Sequence, residues 1–413
     1  MQRVENERMT DTIDYLLVGG GLANGQAART IREAGAVGRV VIASSEPEPP
    51  YNRPPLSKGY LQGRESREST WVKPQKFWDD KEIEIMTGRT AIGIDRRAHA
   101  VTFDDGNVLR YSKLSLATGS EPKKLDVPGA GLTGIHYLRT IADAAALRKA
   151  AARASRIVVA GAGFIGTEVA ASLALGGADV TVLVAGDVML ARQIGPLAGK
   201  YLMNYCETRG VKFLRRATVD SFIGTEQLAG VMLSNGDKVD ADMAVVGVGV
   251  APRTSLAEVA GLETSNGVLA DGQLRTSDPD IYAAGDIVNF TDERYGHRFR
   301  IEHWDHAKAS GKTVGVNMAG GAETFDHLPY FFSDLFDLGL EAWGDMYQTD
   351  EIVERPAQGG GHPAWFYLYQ GRLSAALLIN GGKSEQQALP ELLKRKPEFT
   401  GEVKSQTMLK LHA

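Results

Sequence analysis

The regular pattern begins with Asp14-Tyr15-Leu16-Leu17-Val18, a short apolar run that ends on Gly19-Gly20-Gly21. Helically spaced apolar positions follow from Ala23 to Ala34 and stop at Gly35. Val40-Val41-Ile42-Ala43 is then a second apolar run. Short apolar runs bounded by glycine read as buried strands, so strand, glycine turn, helix and strand form a βαβ unit with a parallel pair. The same order returns later. Arg156 to Ala160 predicts a strand, Gly161-Ala162-Gly163-Phe164-Ile165-Gly166 a turn, Thr167 to Gly176 a helix and Asp179 to Leu183 the next strand. Two such units, far apart in the chain, predict two nucleotide-binding domains.

Between them the period changes to two. Ala98 to Phe103 leads into Asp104-Asp105-Gly106-Asn107, which predicts a hairpin, and Met232 to Asp237 is its counterpart in the second half. From Asp326 onward aromatic residues become dense: Tyr330, Phe331, Phe332, Trp343, Trp365, Phe366, Tyr367 and Tyr369. Trp365–Tyr369 and Leu373–Ile379 read as a hairpin turning at Gln370-Gly371, and Gly359 to Gly361 marks a loop. The expected architecture is α/β, with two Rossmann-like domains and a small C-terminal α+β domain. The expected boundaries are 1–125 with 250–322 for the first domain, 126–249 for the second and 323–413 for the third.

Length agrees with this division, since 413 residues suit two or three domains of about 150 residues each. A net charge of -5 gives no support to nucleic-acid binding, which needs a basic face. The single cysteine, Cys206, excludes an intramolecular disulfide and any Cys-x-x-Cys site. It reads as a small buried apolar side chain. His303 and His306 lack the companions a metal site needs, so no metal is expected. No apolar run reaches the ~20 residues of a spanning helix. Met1 to Thr12 is polar and unlike a secretory leader, so the expected compartment is the cytoplasm.

Chemistry enters at the glycine turns. A dinucleotide sets its pyrophosphate against backbone N–H groups at a helix N-terminus, where side chains would block the approach. Gly161-x-Gly163-x-x-Gly166 has the full spacing, follows a strand and opens a helix. Gly19-x-Gly21-x-x-Asn24 lacks the third glycine, with Gly25 one residue late. Asp278 to Asp286 runs as a strand into Gly285-Asp286, where an acid at a helix start can accept from a ribityl hydroxyl; it also reads as an N-cap.

These stretches resemble the FAD-dependent pyridine-nucleotide oxidoreductases, with their glutathione-reductase-like fold. More narrowly they resemble the branch of ferredoxin and rubredoxin reductases, apoptosis-inducing factor and monodehydroascorbate reductase. The matching segments are Val18 to Gly21, Pro50 to Lys58, Ala117 to Ser120, Gly161 to Glu168, Gly247 to Gly249, Tyr282 to Asp286, Glu302 to Ala307 and Leu328 to Asp334. They keep the family's order over nearly the whole chain.

The resemblance implies FAD and NADH as cofactors, with NADPH as the alternative. Gly19, Gly21, Leu22 and Ala23 would line the FAD pyrophosphate with Arg53 nearby. Thr118, Gly119, Asp286 and Ala91 would also serve FAD, with His303 and Trp304 at the flavin edge and Phe332 over the ring. Ser45 fills the slot of the ribose-binding acid, and Glu46 would substitute. Gly163, Phe164, Ile165, Gly166 and Gly249 would face the nicotinamide nucleotide, with Asp187 as a late ribose acid favouring NADH. Lys58 and Glu168 correspond to the pair beside flavin N5. A cation there stabilises the charge that arrives with a hydride, and burying it requires a partner.

The disulfide reductases of the family carry Cys-x-x-x-x-Cys after the first βαβ unit; this chain has Lys58 there and no cysteine. Electrons are therefore expected to leave from the flavin directly. The expected partner is a ferredoxin-type redox protein. The alternatives are a small-molecule oxidant, as in monodehydroascorbate or quinone reductases, and an NADH-sensing interaction protein like apoptosis-inducing factor. A homodimer stays open.

Overall fold

The computed structural model describes residues 12–357 and 359–395. The ends of the first and third expected domains, 1–11 and 396–413, lie outside the described residues. The chain folds as two compact units. One runs through Asn52 and adds Glu68–Glu121 and Ala251–His327. The other takes Arg53–Arg67, Pro122–Val250 and the chain from Leu328 onward.

In the first unit the parallel strands Ile83–Met86, Val40–Ala43, Thr12–Val18 and Val108–Leu116 lie in that order, and Ile281–Ala283 also pairs with Val108–Leu116. Val40–Ala43 is buried throughout, which is why it reads as an uninterrupted apolar run. The expected hairpin forms between Ala100–Phe103 and Val108–Leu116. It starts later than its alternation suggested: Ala98 and His99 lie in the preceding turn, with His99 at φ 47.

The helix Leu22–Glu33 crosses the helix Trp304–Met318 through small residues. A Cβ on Gly311 would stand 2.1 Å from the Ala23 carbonyl oxygen, and one on Gly315 would stand 2.6 Å from that of Ala27. The backbones therefore meet where any side chain would collide.

The second unit carries a five-stranded parallel sheet in the order Lys212–Arg215, Asp179–Val184, Arg156–Ala160, Met243–Val246 and Ile135–His136. Leu228–Leu233 and Lys238–Asp240 form the second expected hairpin. The C-terminal part is a five-stranded antiparallel sheet in the order Tyr330–Leu335, Leu338–Gly344, Arg372–Ile379, Ala364–Tyr369 and Glu351–Arg355. The expected turn at Gln370-Gly371 is present, with both residues at positive φ (52 and 71). The helix Lys383–Arg395 packs on this sheet with Leu389 and Leu393 buried. The other face meets the nucleotide-domain residues: Tyr367 donates to the Ile194 carbonyl at 2.7 Å. Cover on both sides explains why Ala364–Tyr369 and Arg372–Ile379 are almost wholly buried and do not alternate.

No helix among the described residues is long and apolar enough to cross a membrane.

The helix crossing gives a stability prediction. Gly311→Ala forces a methyl into the Ala23 carbonyl and should cost about 1–3 kcal/mol, as overpacked cores do. Gly131→Ala, whose added methyl meets nothing within 4 Å, should stay within about 0.5 kcal/mol. Urea unfolding of the two variants against the parent protein measures the difference; equal midpoints would remove the constraint.

Candidate functional site

The two glycine turns have nearly the same geometry. Gly21 and Gly163 are the N-cap residues of Leu22–Glu33 and Phe164–Leu175, at φ -86, ψ -177 and φ -82, ψ -176. Neither helix has a side-chain cap or an acidic residue in its first turn. The first-turn N–H groups and the positive end of each helix dipole are therefore left for an anion. A Cβ on Gly21 would meet nothing within 4 Å, and one on Gly163 would meet only Gln193 Nε2, at 3.8 Å. Both turns are open where a pyrophosphate would sit. The second helix begins at Phe164 and not at Thr167, because the extended N-cap glycine starts it directly.

Gly19 and Gly161 have φ +113 and +111, and a Cβ on either would strike a neighbouring carbonyl, Ala117 O at 2.2 Å or Gly247 O at 2.4 Å. At the third position the turns part. Gly166 packs on its own turn: its Cβ would lie 2.0 Å from Gly161 O. Asn24 instead is fully buried and uses its amide there, donating to Gly19 O at 2.9 Å and accepting from Ser115 Oγ at 2.7 Å. The missing glycine is replaced by two hydrogen bonds of a buried amide.

Around the first turn the structure gathers several expected residues. Gly285, at φ +70, brings its backbone to Ala23, where a Cβ would stand 3.2 Å from the alanine's own. Asp286 follows in the one-turn 3-10 helix Gly285–Ile287 and accepts from Ser120 Oγ at 2.6 Å. The expected helix start is this single 3-10 turn, after which the chain passes straight into the strand Val288–Asp292. Thr118 Oγ1 donates to Arg253 O at 2.7 Å, and Gly119 sits at φ +72. Trp304 Nε1 donates to Asn52 Oδ1 at 2.8 Å, and His303 is the N-cap of the same helix. His306 is buried and stacked on Phe290, ring centroids 5.6 Å apart; burial pushes its pKa down to about 3, so it is a neutral core residue.

Past the strand Val40–Ala43, Ser45 is exposed and Glu46 accepts from Tyr51 Oη. Gly88 N donates to Glu46 O at 3.2 Å, which brings the segment leading to Ala91 alongside.

Within the second unit a set of charged and hydroxyl side chains gathers around Glu168. Glu168, in the helix Phe164–Leu175, is 7% exposed. It accepts from Ser57 Oγ at 2.5 Å and Ser333 Oγ at 2.6 Å, and Lys58 Nζ lies 3.3 Å from Oε1. Burial raises its carboxyl above the usual range, while the Lys58 charge and the bonds from Ser333 and Ser57 pull the other way. Lys58 also bonds the exposed Asp334 at 2.8 Å and lies over the Phe332 ring, 4.9 Å from its centroid. An open cleft of about 360 Å³ reaches Lys58, between Gln62, Ser172, Asp334 and Phe336. Arg53 donates to the Arg139 carbonyl. Phe164 packs on Phe331 at 4.7 Å, and Gly249 at φ +107 accepts from Lys123 N at 2.9 Å. Ile165 is an exposed apolar residue in the first turn of its helix.

Sequence reading missed Asn24's amide, the two serines on Glu168 and one cation. Asp187 is bonded by Arg216 Nε at 2.7 Å. The signal was Arg215-Arg216 at the end of Lys212–Arg215, which pairs in parallel with Asp179–Val184. Cys206 is buried, and burial pushes its thiol up to about 12, so it is no nucleophile.

Comparison with known proteins gives the family and the fold. A family model described as pyridine nucleotide-disulphide oxidoreductase matches residues 13–311, and one described as reductase C-terminal matches 330–411. Rhodocoxin reductase of Rhodococcus erythropolis is 34% identical over 377 residues, covering 91% of this chain and 88% of the relative. The ferredoxin reductase for the CYP199A2 system of Rhodopseudomonas palustris superposes with a TM-score of 0.92 at 32% identity, covering 97% of this chain and 99% of that one. Putidaredoxin reductase in its covalent complex with putidaredoxin gives a TM-score of 0.92 at 27% identity, covering 98% and 99%. The chain is an oxidoreductase that belongs to the pyridine nucleotide-disulphide oxidoreductase family, of two nucleotide-binding folds with a reductase C-terminal domain.

Proposed function

We propose that this protein is an FAD-dependent NAD(P)H oxidoreductase that delivers electrons to a ferredoxin-type protein. The observation that carries the reading is the pair of Lys58 with the buried Glu168, Lys58 standing in the part of the chain where disulfide reductases of the family keep two cysteines. With one cysteine, buried and protonated, no thiol relay is available. FAD, when bound, would accept two electrons as a hydride and release them singly.

The chain's residues divide the work. Gly19, Gly21, Leu22 and Ala23 offer an uncapped helix end for the FAD pyrophosphate, and Asp286, Thr118 and Gly119 offer polar groups beside it. Gly163, Phe164, Ile165 and Gly166 offer the equivalent end for the nicotinamide nucleotide, a substrate that arrives and leaves. Lys58 holds a positive charge that offsets the negative charge delivered with the hydride. A fixed charge placed in advance needs no reorganisation during the reaction. Glu168, Ser57 and Ser333 keep Lys58 in position. The ferredoxin-type acceptor is supported by the relatives' names: ferredoxin reductase, and a putidaredoxin reductase covalently joined to putidaredoxin.

Two results are expected. Lys58→Met should retain FAD yet slow anaerobic flavin reduction by about 10²–10³-fold, the usual loss when one electrostatic stabiliser is removed. Lys58→Arg should recover part of it. Unchanged reduction in Lys58→Met would overturn the role. The second result concerns pH. The Glu168 carboxyl holds its proton above the usual range, so the charge pair is complete only once pH has risen through that raised value. Reduction should therefore slow as pH falls through it, and Glu168→Gln should lose that dependence. A pH profile shared by parent and variant would count against it.

A further inference from the structure

A Rossmann-type site reads the adenosine 2′ group at the end of its second strand. An acid about 20 residues past the glycines accepts from a 2′-hydroxyl, and an arginine takes a 2′-phosphate. Here the second strand ends at Val184, which is apolar and 2% exposed, so no acid stands at the strand end. Ala185 and Gly186 follow, and the first acid is Asp187.

Asp187 is already engaged. The parallel neighbour strand pairs Arg215 with Val184, and the next two residues close on the same loop. Arg216 N donates to Gly186 O and Ala217 N to Val184 O, both at 2.9 Å. These bonds fix the Arg216 backbone, at φ 53, beside the loop. Its guanidinium bonds Asp187 at 2.7 Å, with the two side chains 78% and 68% exposed. The other end of the loop returns to the glycine turn through Leu190 N to Ala162 O at 2.9 Å. One loop therefore joins the pyrophosphate turn to Arg216. Arg215 is paired with Glu207 at 3.6 Å.

An exposed ion pair is worth little, so Arg216 can leave Asp187 at small cost. A phosphate monoester offers more charge and can accept from both prongs of the guanidinium fork. A 2′-hydroxyl offers no charge and would have to win Asp187 away from Arg216. The sequence expectation of NADH rested on Asp187 and on the lack of an arginine immediately at the strand end; in the fold that carboxylate has Arg216 on it.

We infer that Arg216 is the residue that reads the adenosine 2′ position, and that it makes NADPH a substrate at least as good as NADH. This rests on the nicotinamide-nucleotide site proposed above.

The test compares anaerobic flavin reduction by NADH and by NADPH in the parent protein, Arg216→Gln and Asp187→Asn. The parent should be reduced by both, with the lower KM for NADPH or equal values. Arg216→Gln should raise the KM for NADPH about tenfold, equal to about 1.4 kcal/mol, and leave that for NADH nearly unchanged. Asp187→Asn should lower the KM for NADPH by freeing Arg216. Both residues are exposed, so the variants should fold; the bound-FAD spectrum and unfolding midpoint check this. A parent reduced by NADH but not by NADPH overturns the inference and leaves the proposed function intact. So does an Arg216→Gln variant whose two KM values shift together. Failure of both nucleotides in the parent would instead overturn the proposed function.

Discussion

A carboxylate taken out of water has to be answered, and Glu168 is answered by two segments distant from it in sequence. Ser57 and Lys58 come from the end of the 3-10 helix Pro54–Ser57, Glu168 from the helix behind the second glycine turn, and Ser333 from the first strand of the C-terminal sheet. Each serine hydroxyl satisfies one carboxylate oxygen, and the ammonium supplies the charge. Breaking such a pair by removing one member typically costs about 3–5 kcal/mol, because the other charge stays buried. The arrangement therefore joins the nucleotide domain and the C-terminal sheet into one unit and fixes the cation to which the proposed chemistry assigns a role. Asp334 extends the same arrangement to the surface through Lys58.

The glycine turns supply the complementary design. Each ends a helix without a side-chain cap, and each keeps the space in front of that end clear. A helix end left uncapped in this way costs stability unless an anion completes it. The close approach of chain to chain is achieved differently in the two turns, by a glycine at Gly166 and by an amide at Asn24. The substitution at Asn24 therefore changes the means and keeps the geometry.

Most of the fold was legible in the sequence because it is written locally. Apolar runs, glycine turns and the Gln370-Gly371 hairpin each need only a few neighbouring residues to specify them. The Lys58–Glu168 association could be reached only through family resemblance, since the residues come from different elements. The side-chain partners that escaped are mostly long-range. Asn24 finds Ser115, Glu168 finds Ser57 and Ser333, and Asp187 finds Arg216 on a neighbouring strand. The helix start at Thr167 was misjudged for a local reason: an extended N-cap glycine opens a helix without any capping side chain, whereas the helix expected at Gly285-Asp286 closes after a single 3-10 turn.

The central claim is that electrons enter as a hydride and leave singly with no thiol taking part. The direct measurement mixes the anaerobically reduced protein with an oxidised ferredoxin in a stopped-flow instrument, for the parent and for Cys206→Ala. The account predicts rapid reoxidation in two one-electron steps, at the same rate in both. Reoxidation by a disulfide substrate but not by a ferredoxin, or loss of transfer in Cys206→Ala, would contradict it.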